Sequence, residues 1–281
     1  MEPNASTTTE ANPRIRVGLR VFMVVPILVL VTTGIMLFFF TEYARTVWPW
    51  ELTPFNARFI GGFYLGSIFA AAIIVMWPRW SPARVLTTQI CLFTSLVLLV
   101  SLAYTGRFFF DRPLTWAWFG LYVLVPSYTL YAVWAHRSLH ADTAPTPRGI
   151  SAFLTVSGAI LGAYGIGLLI APVALTEFWP WPVDAFHGRL YAAVFLSPAF
   201  TAVLLRARSA AADRIGVGVV TSLGSVLIVA GTVVTDASKG SVDWASPGTW
   251  LWVGAFAAMA VFGLTVVTSG RGSLRGDHAA V

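Results

Sequence analysis

Cysteine is all but missing: Cys91 is the single one in 281 residues. An intrachain disulfide, a CxxC redox pair and a cysteine-based metal site are therefore excluded. Charge is scarce as well. Asp, Glu, Lys and Arg make up 11% of the chain, against about 25% in an ordinary soluble domain, and a soluble globular fold is excluded with them. The sequence has no Walker A loop, no HExxH motif and no histidines placed across apolar runs in a way suited to haem.

What is present is hydrocarbon. Hydrophobic residues reach 57%, with a mean hydropathy of +0.76, and they fall in runs of about 20, the length a helix needs to cross a bilayer. Eight spans are expected, near 20–40, 56–77, 85–104, 114–134, 150–171, 187–205, 215–234 and 248–268. The expected fold class is an all-α polytopic membrane protein. At mid-membrane depth the spans hold no Asp, Glu, Lys or His, and Gln89 is the most polar side chain well inside one. Proton relays, ion-coupled carriers and voltage sensors need such groups, so a carrier of charged solutes is disfavoured.

The formal charge of +6 does not point to nucleic acid, because the basic residues sit as short groups between the runs. With the N-terminus inside, the inner segments hold Arg14, Arg16, Arg20, Arg79, Arg84, Arg137, Arg148, Arg206, Arg208, Arg214, Arg271 and Arg275, 12 of the 18 basic residues. The outer segments hold Arg45, Arg58, Arg107, Arg112, Arg189 and Lys239, together with Glu42, Glu51, Asp111, Glu177, Asp184, Asp236 and Asp243. The positive-inside rule then places the chain in the cell membrane with both termini cytoplasmic.

An internal repeat organises the spans. Trp48-Pro49-Trp50 recurs 131 residues later as Trp179-Pro180-Trp181, and the same offset carries Gly34 onto Gly165, Leu37 onto Leu168, Phe55 onto Phe186, Arg58 onto Arg189 and Leu65 onto Leu196. Thr115-Trp116-Ala117-Trp118 recurs as Thr249-Trp250-Leu251-Trp252, the offset having grown to 134 through a longer loop. The expected organisation is a disordered tail at 1–13, a four-helix unit at 14–134, a cytoplasmic linker at 135–148, a second four-helix unit at 149–268 and a tail at 269–281. Because four is even, the two units enter the membrane in the same sense, which predicts a pseudo-two-fold axis along the membrane normal. The first run is thus architectural rather than a cleaved signal peptide, since its copy is internal. His136 and His140 in the linker lack a carboxylate partner at useful spacing, so no metal is expected there.

Four acids and eight tryptophans stand out as candidates for chemistry. Glu42 follows Phe38-Phe39-Phe40-Thr41 and Asp111 follows Phe108-Phe109-Phe110; Glu177 and Asp243 are their counterparts in the second unit. A carboxyl desolvated by aromatic rings has a raised pKa and can act as a general acid. The competing reading is that these acids lie in water beyond a helix end. Trp48, Trp50, Trp116, Trp118, Trp179, Trp181, Trp250 and Trp252 all map to the outer side, as an interfacial belt or as the walls of a substrate pocket. Arg58 and Arg189, one turn into their helices behind the caps Thr53 and Asp184, are expected to pair with outer carboxylates. Gly62–Gly66 and Gly158–Gly162 read as close helix packing.

In size, many-helix architecture and its combination of outer carboxylates with aromatic rings, the chain resembles the small integral-membrane terpene cyclases. The resemblance implies protonation of an olefin or epoxide by Glu42 or Asp111, with the carbocation stabilised by Trp48, Trp50, Trp116 and Trp118. No cofactor is expected. The expected partners are membrane lipid and a hydrophobic, isoprenoid- or lipid-like substrate, with no nucleic acid. Two alternatives stand beside this one: a carrier or flippase for an apolar molecule, and a non-catalytic subunit whose outer tryptophans dock a membrane or extracytoplasmic protein.

Overall fold

The computed structural model describes residues 12–279, with side chains as far as Arg271. The expected tail at 1–13 lies, but for its last two residues, outside them. The described residues are almost wholly helical: α1 (Val17–Phe39), the short α2 (Thr41–Val47), α3 (Pro54–Met76), α4 (Trp80–Ala103), α5 (Pro113–Ala135), α6 (Arg148–Ile170), α7 (Ala185–Leu205), α8 (Ala211–Lys239) and α9 (Pro247–Ala279). A helix of 23 residues such as α1 is about 34 Å long at 1.5 Å per residue, enough to cross a hydrocarbon core. Seven helices are long and apolar enough to do so, α1, α3, α4, α6, α7, α8 and the Pro247–Arg271 part of α9, the signature of a multi-pass membrane protein. The segment 114–134 forms a helix, α5, uncharged and 23 residues long. It falls outside the seven because Trp116, Trp118, Trp134, Tyr122, Tyr128 and Tyr131 dilute its aliphatic residues.

Two departures concern the segments outside the spans. The helix α9 continues to Ala279, well past the boundary expected at 268. The linker is folded rather than simply solvated. His136 is buried, stacks on Trp80 and engages both ring nitrogens, with the Arg16 N–H and the Ala132 carbonyl. Farther on, β1 (Ala144–Pro145) pairs antiparallel with β2 (Arg208–Ser209).

The eight long helices pack as two layers. One runs α1, α3, α8, α9 and the other α6, α7, α4, α5, and the layers meet at the centre through α3, α4, α7 and α8. Each layer thus takes two helices from each half of the sequence. Glycine lets the central helices approach: a Cβ on Gly66 of α3 would lie 2.5 Å from the Gly224 Cα of α8, and one on Gly62 would lie 2.9 Å from the Leu227 carbonyl oxygen. Gly158 of α6 lies against Ala202 and Ala199 of α7 in the same way. At the linker end, the fully buried Asp213 of α8 accepts from Arg84 and Ser81 of α4 and from the Ala210 N–H, joining the N-termini of these two helices. A buried carboxylate is tolerated only when it is paired and hydrogen-bonded in this way.

Candidate functional site

Both WPW segments lie at one end of the bundle. Extended backbone at Thr53 and Asp184 starts α3 and α7, and each side chain caps its helix by accepting the N–H three residues on, from Asn56 at 3.2 Å and from His187 at 2.8 Å. Behind the caps the tryptophans form two matching triads. Trp48, Trp50 and Trp118 have centroids 5.3, 5.8 and 4.6 Å apart; Trp179, Trp181 and Trp252 have centroids 5.3, 5.9 and 5.2 Å apart, edge to face throughout. That is the geometry aromatic quadrupoles favour.

The triads are joined by bonds that cross between the halves. Trp50 Nε1 donates to His187 Nε2 at 3.0 Å, and Trp181 Nε1 donates to Asn56 Oδ1 at 2.9 Å. Position 187 is 56 moved on by 131, and 181 is 50 moved on by 131. Trp50 meets Phe186 edge-on while Trp181 stacks on Phe55, again one offset apart. Tyr191 adds a second donor to Asn56 Oδ1. Because His187 Nε2 is an acceptor, its proton is assigned to Nδ1, which faces Asp184 Oδ1 at 2.9 Å. Partial burial alone would raise the Asp184 pKa, but hydrogen bonds from the ring and backbone N–H of His187, helped by the charge of Arg107, hold it down at about 2.

The tryptophan expectation splits. Six of the eight are 1–7% exposed and fill one another's space as packed core. Trp116 and Trp250 are 64% and 58% exposed, each giving its Nε1 proton to a backbone carbonyl, of Phe110 and Trp244. These two match the belt reading.

Among the described residues, Arg58 and Arg189 have no carboxylate within hydrogen-bond reach. Each Nε donates to a carbonyl at the end of the preceding long helix, Arg58 to Phe38 and Arg189 to Leu169. Each Nη1 crosses to the other half, to the Thr235 and Tyr104 hydroxyls. Carbonyl and hydroxyl oxygens at frayed helix ends satisfy the guanidinium where the carboxylates stay outside.

The four candidate acids are all on the surface. Glu42 pairs with Arg45 at 3.1 Å and Lys239 at 3.6 Å, and Asp243 accepts the Ala245 N–H. Asp111 and Glu177 are open. None is enclosed by rings, which is the arrangement the general-acid expectation required.

Concavities of a different kind lie between the layers, on the linker side of the tryptophan triads. In the first half a cavity of about 110 Å³ is bounded by α1, α3, α4 and α5, with Ser197 of α7 and Val220 of α8 also lining it; in the second, a cleft of about 610 Å³ is bounded by α6, α7, α8 and α9. The two occupy equivalent places: Pro26, Leu30, Tyr64 and Tyr122 line the first, and Ser157, Leu161, Phe195 and Phe256 line the second. Where the first has Leu121 and Ile90, the second has Ala255 and Thr221, and part of the extra room follows from those smaller side chains. No charged side chain lines the second cleft. Phe153 and Phe262 close its linker end by stacking at 3.6 Å, and Trp179, Trp252 and Phe178 border it toward the WPW end. Trp252 Nε1 has no hydrogen-bond partner, whereas its counterpart Trp118 Nε1 donates to Ser101.

Sequence reasoning passed over Asn56, His187 and Tyr191, which tie the halves together, and Thr221, which faces the cleft. Asn56 and His187 share one position of the repeat directly behind the two caps, and that register was the available signal. Thr221 offered none, being one threonine in an apolar run. Among the described residues no group of three or more His, Cys, Asp and Glu side chains could hold a metal ion. No family model, curated protein or solved structure matches the chain.

Proposed function

We infer that the chain is an eight-span membrane protein made of two tandem four-helix units, which binds an uncharged hydrophobic molecule in the cleft of the second unit. The paired contacts at constant offset support the duplication, with both units running in the same direction about an axis normal to the membrane. The basic residues of the linker end favour cytoplasmic termini. The observation that carries the binding reading is the uncharged cleft of about 610 Å³, within the roughly 300–1,000 Å³ typical of small-molecule sites.

Holding or carrying such a molecule is favoured over cyclisation. A cyclase of this type needs an acid kept protonated beside its substrate, and the four acids are on the surface and none of them lines the cleft. The crossing bonds of Trp50 and Trp181 also resist rocking of one unit against the other. Entry between α6 and α9, directly from lipid, is the simpler route.

The test is extraction of the protein in mild detergent and mass spectrometry of what it retains. A hydrophobic molecule is expected in the unmodified protein and a several-fold smaller amount in Ala255→Phe and Ala258→Phe, whose rings occupy the cleft. Equal retention in all three would overturn the reading.

A further inference from the structure

Thr221, at the position of Ile90, is one place where the second cleft differs in chemistry as well as in size. It stands ten residues beyond the start of α8, about 15 Å along it at 1.5 Å per residue, so it is well inside the span. A threonine within a helix commonly returns its hydroxyl proton to the carbonyl four residues back, as Thr88, Thr94, Thr129, Thr201 and Thr235 do here. Thr221 makes no such bond, nor any other hydrogen bond among the described residues, and it lines the cleft. In the first unit the equivalent side chain is Ile90, which has nothing to satisfy. A hydroxyl in apolar surroundings is costly without a partner. The hydroxyl is left available to a molecule that fills the cleft.

Two further constraints define that molecule. The lining has no charged side chain, so a phosphate, carboxylate or ammonium buried there would lack a counter-charge. Phe153, Phe195, Phe256 and Phe262 surround the rest of the space, which suits an extended hydrocarbon chain. We propose that the α6–α9 cleft selects an uncharged long-chain lipid with one oxygen function, a hydroxyl or carbonyl, that hydrogen-bonds the Thr221 hydroxyl while the chain lies along these rings. This rests on the binding reading above and narrows it to a ligand class.

The experiment uses the full chain in lipid nanodiscs and three probes on one twenty-carbon isoprenoid chain: the alcohol, the hydrocarbon and the monophosphate. Bound probe is counted by native mass spectrometry. The alcohol should bind about two- to tenfold more tightly than the hydrocarbon, the net worth of one hydrogen bond, with the monophosphate weakest. Thr221→Val keeps the side-chain shape and removes an unpaired hydroxyl, so it should fold; it should bring the alcohol down to the hydrocarbon and leave the hydrocarbon unchanged. Equal binding of alcohol and hydrocarbon by the unmodified protein would mean that any bilayer chain fills the cleft, and would overturn the proposal. So would a preference that survives Thr221→Val, or tightest binding of the monophosphate. Ala255→Phe separates the two levels of the argument: if it fails to weaken any probe, the cleft is not the site and the binding reading falls with the proposal.

Discussion

Asn56 and His187 do the same work with different chemistry. Each is 3% exposed and accepts a tryptophan N–H from the opposite unit. Asn56→Ala would strand two buried donors, Trp181 Nε1 and Tyr191 Oη, at about 1–3 kcal/mol each. A loss of about 2–4 kcal/mol is expected in detergent unfolding, against about 1 kcal/mol for Thr53→Ala, which removes only a cap. A smaller effect for Asn56→Ala than for Thr53→Ala would mean that the crossing bonds contribute little. Asp184 adds a pH dependence. Its folded pKa of about 2 lies below the roughly 3.9 of an unfolded aspartate, so its stabilisation is complete above about pH 4 and is lost as pH falls through 2. Asp184→Asn, still able to cap, should flatten the Tm-against-pH curve between those limits. At this scale the sequence was legible for the caps and misleading for the acids. Phenylalanines beside Glu42 and Asp111 in the chain do not enclose them in space; Phe110, for one, stacks on Phe119 and meets Trp116 edge-on instead.

The helices were readable because run length alone identifies a span, and the runs were long. Their partners were not readable. In lipid a buried face and a lipid-facing one can be equally apolar, so hydropathy around α3 or α7 does not say which side meets another helix. Small residues carry that information, and Gly62–Gly66 did mark a contact, though the partner, α8 of the other unit, needed the fold. The contact sets a sharp contrast. Gly66→Ala drives a methyl into the Gly224 backbone and should destabilise by about 1–3 kcal/mol, as overpacking does. Gly120→Ala on α5 meets nothing within 4 Å and should be neutral or stabilising by up to about 1 kcal/mol through helix propensity. Thermal unfolding of the two variants in one detergent checks both. Equal shifts would argue against a close α3–α8 crossing.

At the scale of the whole molecule, recurring residues were legible as offsets of 131 and 134, but the interlocking of the two halves was not. Recurring residues point to two units; they do not say whether such units stand side by side or exchange helices between layers. The layers α1–α3–α8–α9 and α6–α7–α4–α5 take the second course. The crossing contacts of α3 with α8 and of α4 with α7 hold the centre, and Trp50, Trp181, Arg58 and Arg189 each bond across it. Topology follows from the ends of the layers. In a Cys91→Ser background, cysteines at Thr46 and Gly240 should react with an impermeant reagent added outside, and those at His140 and Arg275 should not; the reverse pattern would invert the chain. Interlocking also predicts how the chain behaves when cut. A break between His140 and Thr143 precedes the β1–β2 pairing and leaves every long helix whole. Co-expressed fragments 1–141 and 142–281 should therefore co-purify as a one-to-one complex, because the central surface of each is completed only by the other. Asn56→Ala and Gly66→Ala, placed on that surface, should lower the recovered complex, and Gly120→Ala, placed away from it, should not. Fragments that accumulate as stable, separate monomers would show that each unit closes its own core, and would rule out the exchanged layers.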